Sequence, residues 1–459
     1  MKKYIFCVIC AICGWTFTSC DDYDIVETDY DENMQVNPEQ DSQTPPSIDA
    51  AWELEVIPDV GRQADNIFVY KDLKYNKIFS RTLGWTGGEG GVSTLLPDGS
   101  VLWAFNQSFF GTVDPVTRAR LNGNEPANAL LVQRAVDGKL GETQDDLICL
   151  ADYVNWTDPS SEKYLWGRTY LRHPQGNRTA EQIENGEIDN TRVYRIGAAS
   201  AASGKLQMLW RTLQMPMNTS TGVSVTTHSL SGSIPKGRYI SQTDDYLPQE
   251  GDFLYQEKVS HVLFPTSSFF GQTLFTDDND STYLYAVSGT NLLVARVHKS
   301  DLEGAREYYV RDATTGVMAW QATAPSTSNE IARSGIMENG YVVLQPWVFK
   351  EGNTYYMLSQ ESAGSTSVYL YKSNAPEGPF TSQKLLFNLP SYLDKTGITS
   401  YNQSTQVNLH PELSRAGELV VSACTNVSNT ADNYTYPGSA DFTRPWFFRI
   451  FNWKNVYAE

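Results

Sequence analysis

Glu89 lies between paired glycines, in Gly87-Gly88-Glu89-Gly90-Gly91. Flanking glycines let a backbone approach a ligand closely and leave an acid accessible, although a solvated loop acid would have the same spelling. Glu412 follows His410-Pro411, where a strand is expected to begin, and Glu330 sits in Ser328-Asn329-Glu330-Ile331. Two carboxylates facing one glycosidic bond hydrolyse it with retention at about 5–5.5 Å and with inversion at roughly 6.5–9.5 Å. A histidine beside an acid, as His410 stands beside Glu412, can bond a substrate or tune its neighbour's proton affinity. A lone histidine is more often a satisfied structural residue. The amides of Asn106 and Gln107 suit sugar hydroxyls. Trp85, next to the glycines, is either a stacking platform or core packing. Other chemistries lack their residues. There is no G-x-S-x-G, no P-loop and no G-x-G-x-x-G after a strand, and Glu89 would repel a phosphate at its own glycines. Asp277-Asp278-Asn279-Asp280 lacks the rest of a calcium-binding loop and reads as a polar hairpin turn. No zinc-type spacing occurs, so neither metal nor cofactor is expected.

The elements that must hold these residues are strands. Helical periodicity is nearly absent, and aromatics reach 12%, with 26 Tyr and 11 Trp, which favours sheets and sugar-binding or interface surfaces. A turn followed by a short strand-forming run recurs. Asp98-Gly99 precedes Val101–Phe105, Ser203-Gly204 precedes Leu206–Trp210, and Asn279-Asp280-Ser281 precedes Tyr283–Val287. Glu351-Gly352-Asn353 precedes Tyr355–Leu358, and Ala416-Gly417 precedes Leu419–Ser422. The turns lie about 105, 77, 71 and 65 residues apart. Units of that size are blades of a propeller, so the expected fold is an all-β, five-bladed β-propeller. A sandwich would place strands every 8–12 residues or so without the longer period. The long first interval holds a polar insertion, about 138–190, expected on one face.

Several stretches resemble five-bladed propeller glycosidases. Pro346–Leu358 resembles the blade core of arabinanases and xylosidases, and Tyr371–Phe380 resembles their S-x-x-P-x-G-P-F edge. More specifically, residues 83–452 are similar to propeller domains of unknown function common in Bacteroidetes and related to endo-D-arabinanases. Gly87–Gly90 with Leu96–Gly99, Trp103–Gly111, Val294–Val297 with Asp301-Leu302, and His410–Ser414 with Arg444–Phe448 carry that likeness. The resemblance implies glycan hydrolysis at a central funnel, with Glu89 and Glu412 as the carboxylate pair and Glu330 in reserve. It places Arg444 where it would clamp a sugar hydroxyl, pair with a funnel acid, or close the ring by a structural salt bridge. Two departures stand out. Glu89 stands where the family has aspartate, and Asn106-Gln107 stand where it has Gly-Asp; an amide is neither base nor nucleophile. The retained acids Glu89 and Glu412 favour an enzyme, while the amide at 107 means either that hydrolysis does not depend on that position or that catalysis is altered. The alternative is therefore a surface glycan-binding protein that has lost catalysis.

The first residues imply an address. Lys2 and Lys3, an apolar run from Tyr4 to Phe17, and Thr18-Ser19-Cys20 resemble a bacterial lipoprotein signal (1–19), with Cys20 acylated. The lesser alternative is ordinary signal cleavage near Cys20. An acidic stretch after the cysteine also resembles a Bacteroidetes surface-export signal. Asp21–Gly61 carries thirteen acids and no Lys or Arg, so 20–50 reads as a solvated tether and 51–459 as the propeller. Outside the leader and this acidic stretch, 40 acids face 33 bases, so most of the −18 net charge belongs to the stretch. Nucleic-acid binding is excluded as a main role. The expected partners are a polysaccharide or oligosaccharide, the outer membrane through the lipid alone, and a glycan-uptake complex at the cell surface. Cys149 and Cys424 are the only other mature cysteines, and two buried thiols are favoured over a disulfide.

Overall fold

The structure is a computed structural model. It describes residues 53–458 except 58–66, 172–191, 231–235, 241–247, 253–259, 265–267, 391–400 and a few shorter breaks. The leader, Cys20 and the acidic tether lie outside the described residues.

Five antiparallel sheets follow one another along the chain. Blade one has Leu83–Leu95, Val101–Val113, Ala129–Gln133 and Leu147–Cys149 from inside to outside. Blade two has Arg192–Ala202, Lys205–Gln214, Thr219–Ser229 and Ser260–Phe264. Blade three begins at Thr273–Thr276 and blade four at Leu344–Glu351. Blade five has Tyr401–Leu409, Glu418–Val427 and Pro445–Phe451, and is then completed by Phe68–Asp72 and Leu54–Val56. The first strands of neighbouring blades touch in a closed ring around an axis. The fold is a five-bladed β-propeller.

Blades are covered on both faces, so their strands read as unbroken apolar runs rather than as alternation. Val101–Phe105 is buried throughout, yet its residues still alternate in direction. Trp103 and Phe105 face blade five, where Phe79 meets Trp103 at 4.8 Å and Phe447 at 5.0 Å. Leu102 and Ala104 face the other way, in a cluster with Tyr194 and Ile196 of blade two. The recurring turns of the sequence all join the first strand of a blade to its second, so all five lie at the same end of the axis. Two of them need a left-handed residue and place glycine there, Gly99 at φ +86° and Gly352 at +62°.

The insertion expected at 138–190 also contains the outer strand of blade one, Leu147–Cys149. Its described remainder folds back onto the blade; Asn124 Nδ2 donates to the Gly167 carbonyl at 2.8 Å. Ring closure is fastened by charge. Arg449 donates to Asp72 at 2.6 Å and to Glu418 at 2.8 Å, and all three side chains are buried. Asp72 also caps the short helix Leu73–Ile78 by accepting from the Tyr75 amide. Cys149 and Cys424 are buried free thiols.

Candidate functional site

Glu89 lies midway along the innermost strand of blade one, where the ladder shifts register on both sides of Gly90. These bulges break the pairing and turn the acid toward its neighbours. Gly90 has φ +90°, and a Cβ there would come within 2.9 Å of the Gln406 amide oxygen, so glycine lets blade five approach. Glu89 bridges three blades. Asn426 of blade five donates to it at 2.5 Å, and Arg195 of blade two pairs with it at 3.4 Å. Burial pushes the Glu89 carboxyl above its usual range, and the Arg195 guanidinium partly offsets this. The result is an enclosed acid that holds its proton more readily than a surface glutamate and has a cation at its side.

The amides expected to hold sugar are engaged by protein. Asn106 is buried and accepts from the Ile196 amide at 2.8 Å, pinning blade two to blade one. Gln107, level with Glu89 in the ladder, donates to Glu125 at 2.7 Å. The carboxylate missing from position 107 therefore has a neighbour that supplies one. Gln345 and Gln406, on the inner strands of blades four and five, each have an enclosed amide oxygen without a partner, and both sit at positive φ, +51° and +56°. Non-glycine residues in that region carry strain that concentrates at functional sites.

The other candidates lie elsewhere. Glu412 does not begin a strand. It sits in the turn Pro411–Leu413 that follows the inner strand of blade five, at the opposite end of the axis from the Asn426 contact. Ser93 faces its carboxyl, and Ser93 is four residues beyond Glu89 on the same strand. The two acids therefore make their contacts at different levels of that strand, Glu89 with Asn426 and Glu412 with Ser93. Glu330 lies in the helix Ser328–Arg333, packed against the third and fourth strands of blade three. There it accepts from the Ser326 and Thr327 amides, and these bonds hold its carboxyl down at about 2. It caps a helix and is not a funnel acid. Trp85 is fully buried between Phe79 and Phe105 and presents no face to a sugar. Arg444 is buried, bonds Asp441 three residues before it at 2.7 Å and stacks on Trp446, so it makes a local structural salt bridge.

His410 is fully buried at the seam of blades one and five, with Ser93 Oγ 2.6 Å from Nδ1 and Ser422 Oγ 2.8 Å from Nε2. Serine, histidine and a nearby glutamate are the ingredients of a hydrolytic triad, but the arrangement does not match one. The far nitrogen meets a hydroxyl instead of an orienting carboxylate, and Glu412 faces the serine. Desolvation lowers His410 to about 3, which leaves it a weak base.

Burial raises Glu412 to about 7 from 4.5. A carboxyl raised on folding contributes stability below its unfolded value and loses it as pH climbs to the folded one. His410, lowered from 6.5 to about 3, works in the opposite sense. Between 4.5 and 6.5 the two offset each other. Glu412→Gln should therefore gain stability relative to the parent as pH rises from 4.5 to 7, with no further gain above, read by chemical denaturation across that range.

Arg195, Asn426 and Glu125 carry the site and have no signal in the sequence. Arg195 is one of many strand residues, Asn426 lies 337 positions from Glu89, and Glu125 opens an irregular loop. Among the described residues no three His, Cys, Asp or Glu side chains gather as metal ligands would.

The closed ring of five blades makes the chain a five-bladed propeller, and by sequence it belongs to the domain of unknown function family DUF5005, whose model matches residues 72–453. A crystal structure from Bacteroides ovatus ATCC 8483, described as a candidate hydrolase, shares 38% identity over 90% of this chain and 97% of that one, with a TM-score of 0.79. More distant solved propellers include an exo-β-1,3-galactanase from Phanerochaete chrysosporium, at 10% identity over 80% of this chain and 63% of that one, TM-score 0.34. Another is a GH43_1 enzyme from Xanthomonas citri, at 11% over 82% and 92%, TM-score 0.37. Likeness at that level carries nothing for the chemistry of the site. No curated protein matches the chain.

Proposed function

We propose that the protein is a lipid-anchored surface hydrolase of glycans, with furanose-rich polymers such as arabinans as the substrate class. The observation that carries this reading is Glu89: an enclosed, proton-holding acid on the axis, tied to blades two and five at once. In the reaction its carboxyl gives a proton to the departing glycosidic oxygen as the bond to the anomeric carbon breaks. Water adds to that carbon, and its proton passes to a second carboxylate. Glu125, held by Gln107, is the acid we assign to that role. The 38%-identical relative described as a candidate hydrolase supports the class of reaction. Purified mature protein should release oligosaccharides from at least one polysaccharide in a broad screen. Absence of product from every polymer, with none retarding the protein in a gel, would remove the proposal.

A second reading is a glycan-binding protein without turnover. It is favoured by the amide at position 107 and by the placement of Glu412 in a turn and of Glu330 in a helix cap. Retardation in the gel without product would select it.

Anchoring is part of the proposal. Residues 1–19 would be removed, Cys20 acylated, and 20–50 would form the tether of an outer-membrane protein working beside a glycan-uptake complex. The native amino terminus should carry diacylglycerol on Cys20 by mass spectrometry; an unmodified terminus elsewhere would disprove the anchor.

A further inference from the structure

The end of the axis away from Glu89 holds a cavity of about 740 Å³, walled by all five blades. That volume is in the range of small-molecule sites, roughly 300–1,000 Å³. Its wall combines hydroxyls, Ser93, Ser200 and Thr276, with the rings of Phe275 and Phe349. Its charges are already answered. Lys350 at the rim bonds Asp277 at 3.1 Å and Asp278 at 2.8 Å. Glu412 lines the cavity and has one enclosed carboxyl oxygen with no partner in the protein. An anion would meet Asp278 and Glu412. An apolar ligand would leave the Ser200 hydroxyl and that oxygen unsatisfied, at a cost of about 1–3 kcal/mol per buried group. A sugar ring answers both parts of the wall, with C–H faces for the aromatics and hydroxyl donors for the acceptors.

We infer that this cavity is a second ligand site, separate from Glu89, which takes an uncharged, polyhydroxylated ligand, a short oligosaccharide. The inference rests on the glycan reading above and adds a place where chain is held without being cut. Burial raises Glu412 to about 7, so near neutrality it can present either a donor or an acceptor.

Ala198, Ala199 and Ala201 line the cavity and report on it directly. With alanine methyls isotopically labelled, full-length protein is titrated with neutral arabino-, xylo-, galacto- and gluco-oligosaccharides and with glucose 6-phosphate. The expected result is that a neutral oligosaccharide moves those methyl resonances. Phe275→Ala and Glu412→Gln should weaken the effect at least tenfold, and Glu89→Gln should leave it unchanged. Thr276→Arg, at an exposed rim position, fills the mouth without entering the core and guards against misfolding of the other variants. If oligosaccharide binds but these methyls stay still, and product release is lost in Glu89→Gln, the second site falls and the axial reading stands. If the methyls move while Glu89→Gln alters neither binding nor product release, the cavity stands and the axial reading falls. Tighter binding of the phosphorylated sugar overturns the ligand class, and no binding by any probe overturns both.

Discussion

Glu89→Gln should lower glycan turnover by about 10²–10⁴-fold, the usual contribution of a positioned proton donor. The amide keeps the shape of the side chain and can still accept from Asn426, so affinity for the polymer should change little. What disappears is the proton. Loss of kcat with KM preserved marks an interaction made in the transition state. Arg195→Met tests the electrostatics separately. Arg195 is the charge that lowers the Glu89 carboxyl against its burial, so its removal should move the alkaline limb of the pH–rate profile upward. Glu125→Gln should cost turnover on the same scale if Glu125 receives the second proton. Unchanged turnover in Glu89→Gln would end the hydrolytic proposal, and unchanged turnover in Glu125→Gln alone would end that assignment.

Arg449→Met should destabilise the propeller by roughly 3–5 kcal/mol, because removing one member of a buried ion network leaves uncompensated charge behind. Here two carboxylates would be left, Asp72 and Glu418, both enclosed. Their bonds join the second strand of blade five to the N-terminal strand that completes it. Denaturant unfolding of the purified protein measures the loss. Adding Glu418→Gln should restore part of it, since the pair is coupled. A loss below about 1 kcal/mol would mean that strand pairing alone holds the ring.

The blades were legible because their turns are local. Each first hairpin needs only a turn residue and an apolar run a few positions later, and Gly99 and Gly352 mark two of them. The direction of those hairpins was not legible. By its letters alone Glu412 suits the start of an inner strand, whereas it lies in the turn after one. One step along an antiparallel hairpin exchanges the two ends of the axis. Glu330 could have been read correctly, since Thr327-x-x-Glu330 is a capping box in plain sequence. Trp85 shows the ambiguity of aromatics: a ring beside a glycine-rich strand suits a platform and a core equally, and burial decides. Arg195 and Asn426 join Glu89 only when the ring exists, and no window of the sequence contains that ring.

Closure has a consequence for when the protein can begin to be a protein. Asp72 and Arg449 are 377 residues apart, and Phe68–Asp72, paired on one edge with Leu54–Val56, finds its other partner only in Pro445–Phe451. A thread emerging amino end first must carry its opening pair of strands apart from the rest of their sheet until almost the last residue has appeared. Loop closure over that length adds little to the equilibrium cost but delays the event. A chain cut short before residue 445 should therefore leave four sheets and an open seam, a substrate for proteases.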